Sequence, residues 1–424
     1  MNRSNRSDTR EAQQWRHHWK TRSFTLVKEI LSLLVSCLLC KQDISFQSTQ
    51  EKKGQADWTS LPHDMLHEIL TRLGRTSSDL VRFGSVCTSW RLVAKQDRRV
   101  LHGIVGLLVR GDIETRDQFL SLKKILSRNK NLMMCNLPLV SIPAYLGSYQ
   151  GWLLLNSPED DGLTVMNPVT RVKFLLPPLP DPLHKVCFSS TPSSTSLCYV
   201  LAICFVKGPR TSVAYCKIGD RAWTDIAAAT LPPEETNDYY DAVFHKGKFY
   251  VLRRNGGLCV CDISVSPPTM AKLVDRLPPP IQHLQVKSIW YKFYLVEAGG
   301  DLLLVYRWCN RGCTLGPGDR KFEVIRLSLD SVWKWNYVQD LGEYALFVGQ
   351  GQPFALSELE APDQVKGNCI YFLDDWGTSG NSYFQDCEKG VFSLCTGDFE
   401  YFGNYSLPDQ RGVWFTFDYP YTRN

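Results

Sequence analysis

A chain of 424 residues with 44% apolar and 21% charged side chains has material for a large packed core and length for two or three domains. Its net charge of +5 is concentrated at one end, because residues 1–50 hold eight Lys/Arg against four Asp/Glu and the remainder is close to neutral. That distribution excludes a basic groove along the main body and disfavours nucleic acid as its ligand. Fifteen cysteines, an odd number without regular spacing, exclude a disulfide scaffold. Cys198, Cys204, Cys369 and Cys395 lie inside apolar stretches, as reduced core thiols of an intracellular protein do.

In chain order, Arg3, Arg6, Arg10, Arg16, Lys20, Arg22 and Lys28 precede an apolar run over 30–40. The charged lead-in is long and no small-residue cleavage site follows, which argues against a secretory signal. The run is also too short to span a bilayer, so no membrane is expected as a partner. Residues 1–56 are expected to form a basic, disordered arm, with an organelle-targeting helix as the alternative.

Residues 57–97 carry helical patterning. Pro62 suits the first position of a helix, and Asp64 follows where negative charge meets the positive end of the dipole. Met65, Leu66, Ile69, Leu70 and Leu73 fall on one face, and Gly74 ends the run. Ser77-Ser78-Asp79 opens a second helix with Leu80, Phe83, Val86 and Cys87 on its apolar side. A third begins near Thr88-Ser89 and carries Trp90, Val93 and Ala94. About 40 residues bury too little surface to stand alone, so a partner or the rest of the chain must cover part of it. Periodicity by itself leaves both open.

Residue identities go further. Leu61-Pro62, Asp64, Ile69-Leu70, Leu73, Asp79-Leu80, Arg82-Phe83, Val86-Cys87, Trp90-Arg91 and Ala94 run in the order of the F-box, which this segment resembles. The resemblance implies docking onto a Skp-type adaptor and, through it, a cullin–RING ubiquitin ligase. It also implies that Leu61, Pro62, Leu70, Leu73, Val86, Cys87 and Trp90 face the adaptor or pack beneath the residues that do. An F-box implies the nucleus and cytoplasm as location.

Residues 98–130 read as a connector with one helix over 117–127, where FLSLKKIL has apolar residues at helical spacing. From about residue 131 to 424 the texture is short apolar strands broken by Gly, Pro, Asn and Asp. GWLLLN pairs with LTVMNPVT, GKFYVL with GLCVCDI, GDLLLVYR with FEVIRLSL, and NCIYFLDD with GVFSLC. Recurring hairpins over nearly 300 residues are the signature of a β-propeller and fit a pair of sandwiches poorly. The blade number stays open, and the last strand, in VWFTFD, is a candidate to share a blade with N-terminal strands. Tyr149-Gln150-Gly151-Trp152-Leu153, Met166-Asn167-Pro168-Val169-Thr170, the run from Ala242 to Tyr250, the run from Gly367 to Asp375, and Gly390-Val391-Phe392-Ser393-Leu394 resemble plant F-box proteins with a KIB-type, kelch-like propeller. The expected fold class is thus α+β multidomain: a small three-helix F-box ahead of a mainly-β propeller.

Other constellations are weak. Cys37 and Cys40 lack a second pair for zinc, Cys259 and Cys261 share one strand face, and Cys309 and Cys313 lack partners. Asp160-Asp161, Glu234-Glu235 and Asp374-Asp375 suit solvated turns. His245 reads as a solvated hairpin residue, while Trp308, Trp376 and Tyr383 are candidate anchors for a target, each more simply explained by burial in a blade. No nucleophile elbow, phosphate loop or dinucleotide fingerprint is present, so neither a catalytic site nor a cofactor is expected. The reading is a non-catalytic substrate-recognition subunit whose propeller holds an unidentified target protein. A binding propeller with a vestigial F-box and a propeller enzyme are the alternatives.

Overall fold

The computed structural model describes residues 61–72, single positions between 83 and 93, 105–109, 118–122, most of 144–402, and 412–416. Two units divide the chain, Met1–His102 and Gly103–Asn424.

In the first unit the amphipathic run forms helix α1 (His63–Arg72). The Pro62 carbonyl accepts from the amides of Met65 and Leu66, so proline sits at the cap, one residue earlier than its fixed φ suggests. Leu66 and Ile69 are buried, whereas His63, Asp64, His67 and Glu68 are exposed. Phe83, Trp90 and Val93 are buried too, and the Phe83 and Trp90 rings lie 4.6 Å apart. Helical backbone is found at Phe83, Ser89, Trp90, Leu92 and Val93. The rest of the expected second and third helices lies outside the described residues.

The second unit opens with β1 (Val105–Val109) and β2 (Gln118–Ser121), paired antiparallel with Leu108 opposite Phe119. The helix expected over 117–127 is therefore corrected: its start is a strand. FLSLKKIL satisfies helical spacing, but β1 supplies a ladder of hydrogen-bond partners, and pairing overrides a short local preference.

Four regular blades follow, each of four antiparallel strands in chain order. The first holds β3 (Ala144–Tyr149), β4 (Trp152–Ser157), β5 (Gly162–Met166) and β6 (Lys173–Leu175). The second holds β7 (Leu183–Phe188), β8 (Tyr199–Lys207), β9 (Arg210–Lys217) and β10 (Thr224–Asp225). The third holds β11 (Tyr239–His245), β12 (Lys248–Arg253), β13 (Leu258–Asp262) and β14 (Thr269–Val274). The fourth holds β15 (Ile289–Ala298), β16 (Asp301–Asn310), β17 (Arg320–Ser328) and β18 (Lys334–Val338).

The fifth blade is irregular. Its strands β19 (Tyr344–Val348), β20 (Phe354–Ser357), β21 (Cys369–Phe372), β22 (Gly390–Ser393) and β23 (Phe399–Tyr401) lie in the order β20-β19-β21-β22-β23, with β19 and β21 parallel. Finally β24 (Gly412–Thr416) returns to β1, with Trp414 opposite Leu107. The first and last strands of this unit do share a sheet, β2-β1-β24. All four hairpins read from the sequence are formed, as β4–β5, β12–β13, β16–β17 and β21–β22.

Between neighbouring blades, alternate strand residues interdigitate. Leu154 and Val165 meet Val186 and Val200 between the first and second, and Leu201 and Ile203 meet Ala242 and Val251 between the second and third. Leu252 meets Leu295 and Leu304 between the third and fourth, and Val305 meets Leu346 and Ile370 between the fourth and fifth. Trp414 packs with Phe347 and Tyr371, and the Ser148 hydroxyl of β3 donates to the Trp414 carbonyl. The architecture is thus a five-bladed propeller with a three-stranded sheet joining its ends. The expected α+β class is overturned: the fold is mainly β, and α1 is the longest helical stretch among the described residues. The reason is that class follows from what builds the core, and these clusters lie between sheets.

Three blades turn from their first to second strand through the same two-residue loop. Gln150-Gly151, Lys246-Gly247 and Gly299-Gly300 all have positive φ, from 41° to 85°. Two left-handed residues make the type I′ turn, whose twist matches the strands it joins. These turns place Tyr149 beside Trp152, His245 beside Lys248 and Ala298 beside Asp301 at one end of their blades.

Candidate functional site

The residues expected to meet an adaptor divide by environment. Leu61 and Trp90 are buried, Pro62 is exposed and Cys87 is half-buried. Leu70 lies within α1, but its side chain is outside the described residues, as are Leu73 and Val86. Trp90 is fully packed against Phe83, so it holds the module together and does not present a free face. Of the described positions, Pro62 offers surface.

In the propeller, inner strands are pinned by a buried ion pair. Asp241 on β11 is 1% exposed, and its carboxylate accepts from the Ala242 amide (2.9 Å) and from the Leu295 amide of β15 (2.9 Å). Lys185 Nζ on β7 lies 3.3 Å from the same carboxylate and donates to the Gly351 carbonyl at 3.0 Å. The Phe188 amide donates to Gln352 Oε1 at 2.9 Å. Burial pushes the Asp241 carboxyl up, while Lys185 and the two amides pull it back. Both carboxylate oxygens are occupied, so the group ties four blades together and does not offer a base.

A second feature lies where the third and fourth blades adjoin. A cleft of about 260 Å³ is lined by His245, Lys246, Tyr250, Asp301, Arg326 and Ser328 among others. His245 is 5% exposed and Tyr250 7%, their rings edge to face at 5.9 Å. Burial and the neighbouring Lys246 lower the His245 pKa, against the opposing pull of Glu297 and Asp301. Burial raises that of Tyr250. Both side chains are therefore neutral near pH 7. Arg326 Nε pairs with Asp301 at 3.0 Å, and Lys246 is exposed.

His245 is thus not the solvated turn residue its sequence context suggests. Its local signal, a polar residue before Lys-Gly, is that of any hairpin; the neighbouring blade buries it. Lys185, Asp241 and Arg326 were missed for the same reason, since single charges in apolar strands carry no motif. Trp308 is partly buried, whereas Trp376, Tyr383 and the three carboxylate pairs lie outside the described residues. Cys259 and Cys261 are both fully buried in the core between the second and third blades, in keeping with their shared face. Among the described residues no three His, Cys, Asp or Glu side chains gather as a metal would need.

Comparison with known proteins matches both parts of the chain. The KIB1-4 beta-propeller model covers residues 119–393, and an F-box-like model covers 58–102. F-box protein At3g56470 of Arabidopsis thaliana is 24% identical over 76% of this chain and 79% of its own length. F-box protein SKIP23 of the same plant is 23% identical over 81% of this chain and 91% of its own. F-box/kelch-repeat protein At3g18720, also from Arabidopsis thaliana, is 25% identical over 77% and 83%. The chain belongs to the KIB1-4 β-propeller family and carries an F-box-like segment ahead of the propeller.

Proposed function

We propose that this protein is the substrate-recognition subunit of a Skp–cullin–F-box type ubiquitin ligase, working in the nucleus and cytoplasm. The observation that carries the reading is the pairing, in one chain, of an F-box-like segment with a propeller, shared with relatives that are themselves F-box proteins. The segment around α1 binds the adaptor, and the propeller holds a target protein. Its contribution to ubiquitin transfer is positional: tethering raises the effective concentration of target lysines near the charged conjugating enzyme. No residue of the chain need act on the thioester.

Co-purification of adaptor and cullin with the intact chain tests this. Leu61 is buried, so Leu61→Ala disturbs the module itself; Pro62→Ala changes an exposed position and is the cleaner probe. Recovery by the wild type, with loss in a double Leu61→Ala/Pro62→Ala variant and weakening in Pro62→Ala alone, is expected. Recovery by neither wild type nor variants rejects the ligase role and leaves a binding propeller with a vestigial F-box.

A further inference from the structure

The cleft between the third and fourth blades is lined by hydrogen-bonding groups, some of which have no partner among the described residues. His245 and Tyr250 are more than nine-tenths buried and line it, yet neither the imidazole nor the phenol has a hydrogen-bond partner among the described residues. Both therefore have hydrogen-bonding capacity to offer a ligand in the cleft. Lys246, exposed and also lining the cleft, adds a cation with no ion pair among the described residues. Arg326 spends Nε on Asp301, which leaves the terminal nitrogens of its fork unengaged. Among the residues that line the cleft, His245, Tyr250, Lys246 and Arg326 can all donate, and the one carboxylate, Asp301, is already paired with Arg326.

Size and floor narrow the ligand. About 260 Å³ falls below the roughly 300–1,000 Å³ of cofactor and small-molecule pockets, and matches a single side chain with water. Leu302 and Leu327, both buried, line it beside the polar groups, which suits an aliphatic stem ending in an anion. We propose that this cleft receives an acidic side chain, a glutamate or a phosphorylated serine, from an extended segment of the target protein. The anion takes hydrogen bonds from His245 and Tyr250 and charge from Lys246 and Arg326. This rests on the target-recognition role proposed above and specifies its chemistry.

The test uses the full chain alone, labelled at histidine nitrogens, with the His245 signal assigned through a His245→Asn variant. The probe is a blocked hexapeptide with two central glutamates, set against its glutamine counterpart and a phosphoserine version. A saturable shift of the His245 signal by the glutamate or phosphoserine peptide is expected, with binding about tenfold weaker for the glutamine peptide and in a Lys246→Gln/Arg326→Gln variant. Asp301→Asn, which releases the arginine fork, should instead tighten the acidic peptides a few-fold. No saturable shift, equal affinity for the glutamine peptide, or indifference to the charge variants overturns the proposal. Inorganic phosphate binding as tightly as the peptides also overturns it, by reducing the cleft to an ion site. Adaptor and cullin are absent from this measurement, so it can fail while the ligase reading stands, and succeed while that reading falls.

Discussion

An imidazole wedged between aromatic rings and beside two cations is a poor base, and His184 on β7 is such a group. Its ring lies 4.8 Å from that of Phe205 and 5.6 Å from that of Tyr240, and Nε2 donates to the Tyr240 carbonyl at 3.1 Å. Burial, then Lys185 and Arg254, pull its pKa from 6.5 to about 4. The unfolded chain, with the ordinary value, therefore binds more protons than the folded one between pH 6.5 and 4. Stability is then full above pH 6.5 and falls as pH drops through that window. For a half-buried group the loss between pH 7 and pH 5 is about 1–2 kcal/mol. Urea unfolding of wild type and His184→Phe at the two pH values checks this: the variant keeps the ring contacts and should lose most of the pH dependence. An equal pH dependence in both would assign the effect elsewhere. Nothing around residue 184 in the sequence announces this, because both rings and Arg254 come from other parts of the chain.

At the scale of the element, the blades rest on turns that the sequence states openly. Gly following Gln150 and Lys246, and the pair Gly299-Gly300, mark type I′ hairpins between apolar runs. The same turn does not carry the same cost everywhere. A Cβ at Gly247 would meet nothing within 4 Å, whereas one at Gly299 would lie 2.9 Å from the Tyr344 ring. Gly247→Ala should therefore cost about 1–2 kcal/mol, the strain of the left-handed backbone alone. Gly299→Ala should cost more, as Tyr344 on the fifth blade must also move. Thermal unfolding of the two variants side by side gives the comparison; equal costs would mean that Tyr344 yields freely. Reading elements from pattern succeeded where a turn signal bounded the run and failed at Gln118–Ser121. There, no Gly or Asn marks the strand, and β1, the partner that makes it one, is identified by pairing alone.

For the whole molecule, closure depends on few contacts. β24 pairs with β1, and Trp414 Nε1 donates to the Val348 carbonyl at 3.1 Å while its ring meets Phe347, Tyr371 and Phe402. Trp414→Ala removes a buried anchor and should destabilise the propeller by about 3–5 kcal/mol. Chemical denaturation with limited proteolysis checks it: the expected result is a lower midpoint with first cleavage next to β24 or the fifth blade. An unchanged midpoint would show that the ring holds without that sheet. Sequence alone determined the F-box-like segment, the hairpin repeat and the propeller, because residue order, spacing and turn chemistry are local and survive without coordinates. Only tertiary structure decided that β1, β2 and β24 share a sheet, that Asp241 and Lys185 meet, and that His245 and Tyr250 line a cleft with Arg326. The distant pairings, Leu107 with Trp414, Lys185 with Asp241 and His245 with Arg326, join residues tens to hundreds of positions apart, and their energy comes from burial between sheets, which leaves no periodic trace in either partner's own stretch of chain.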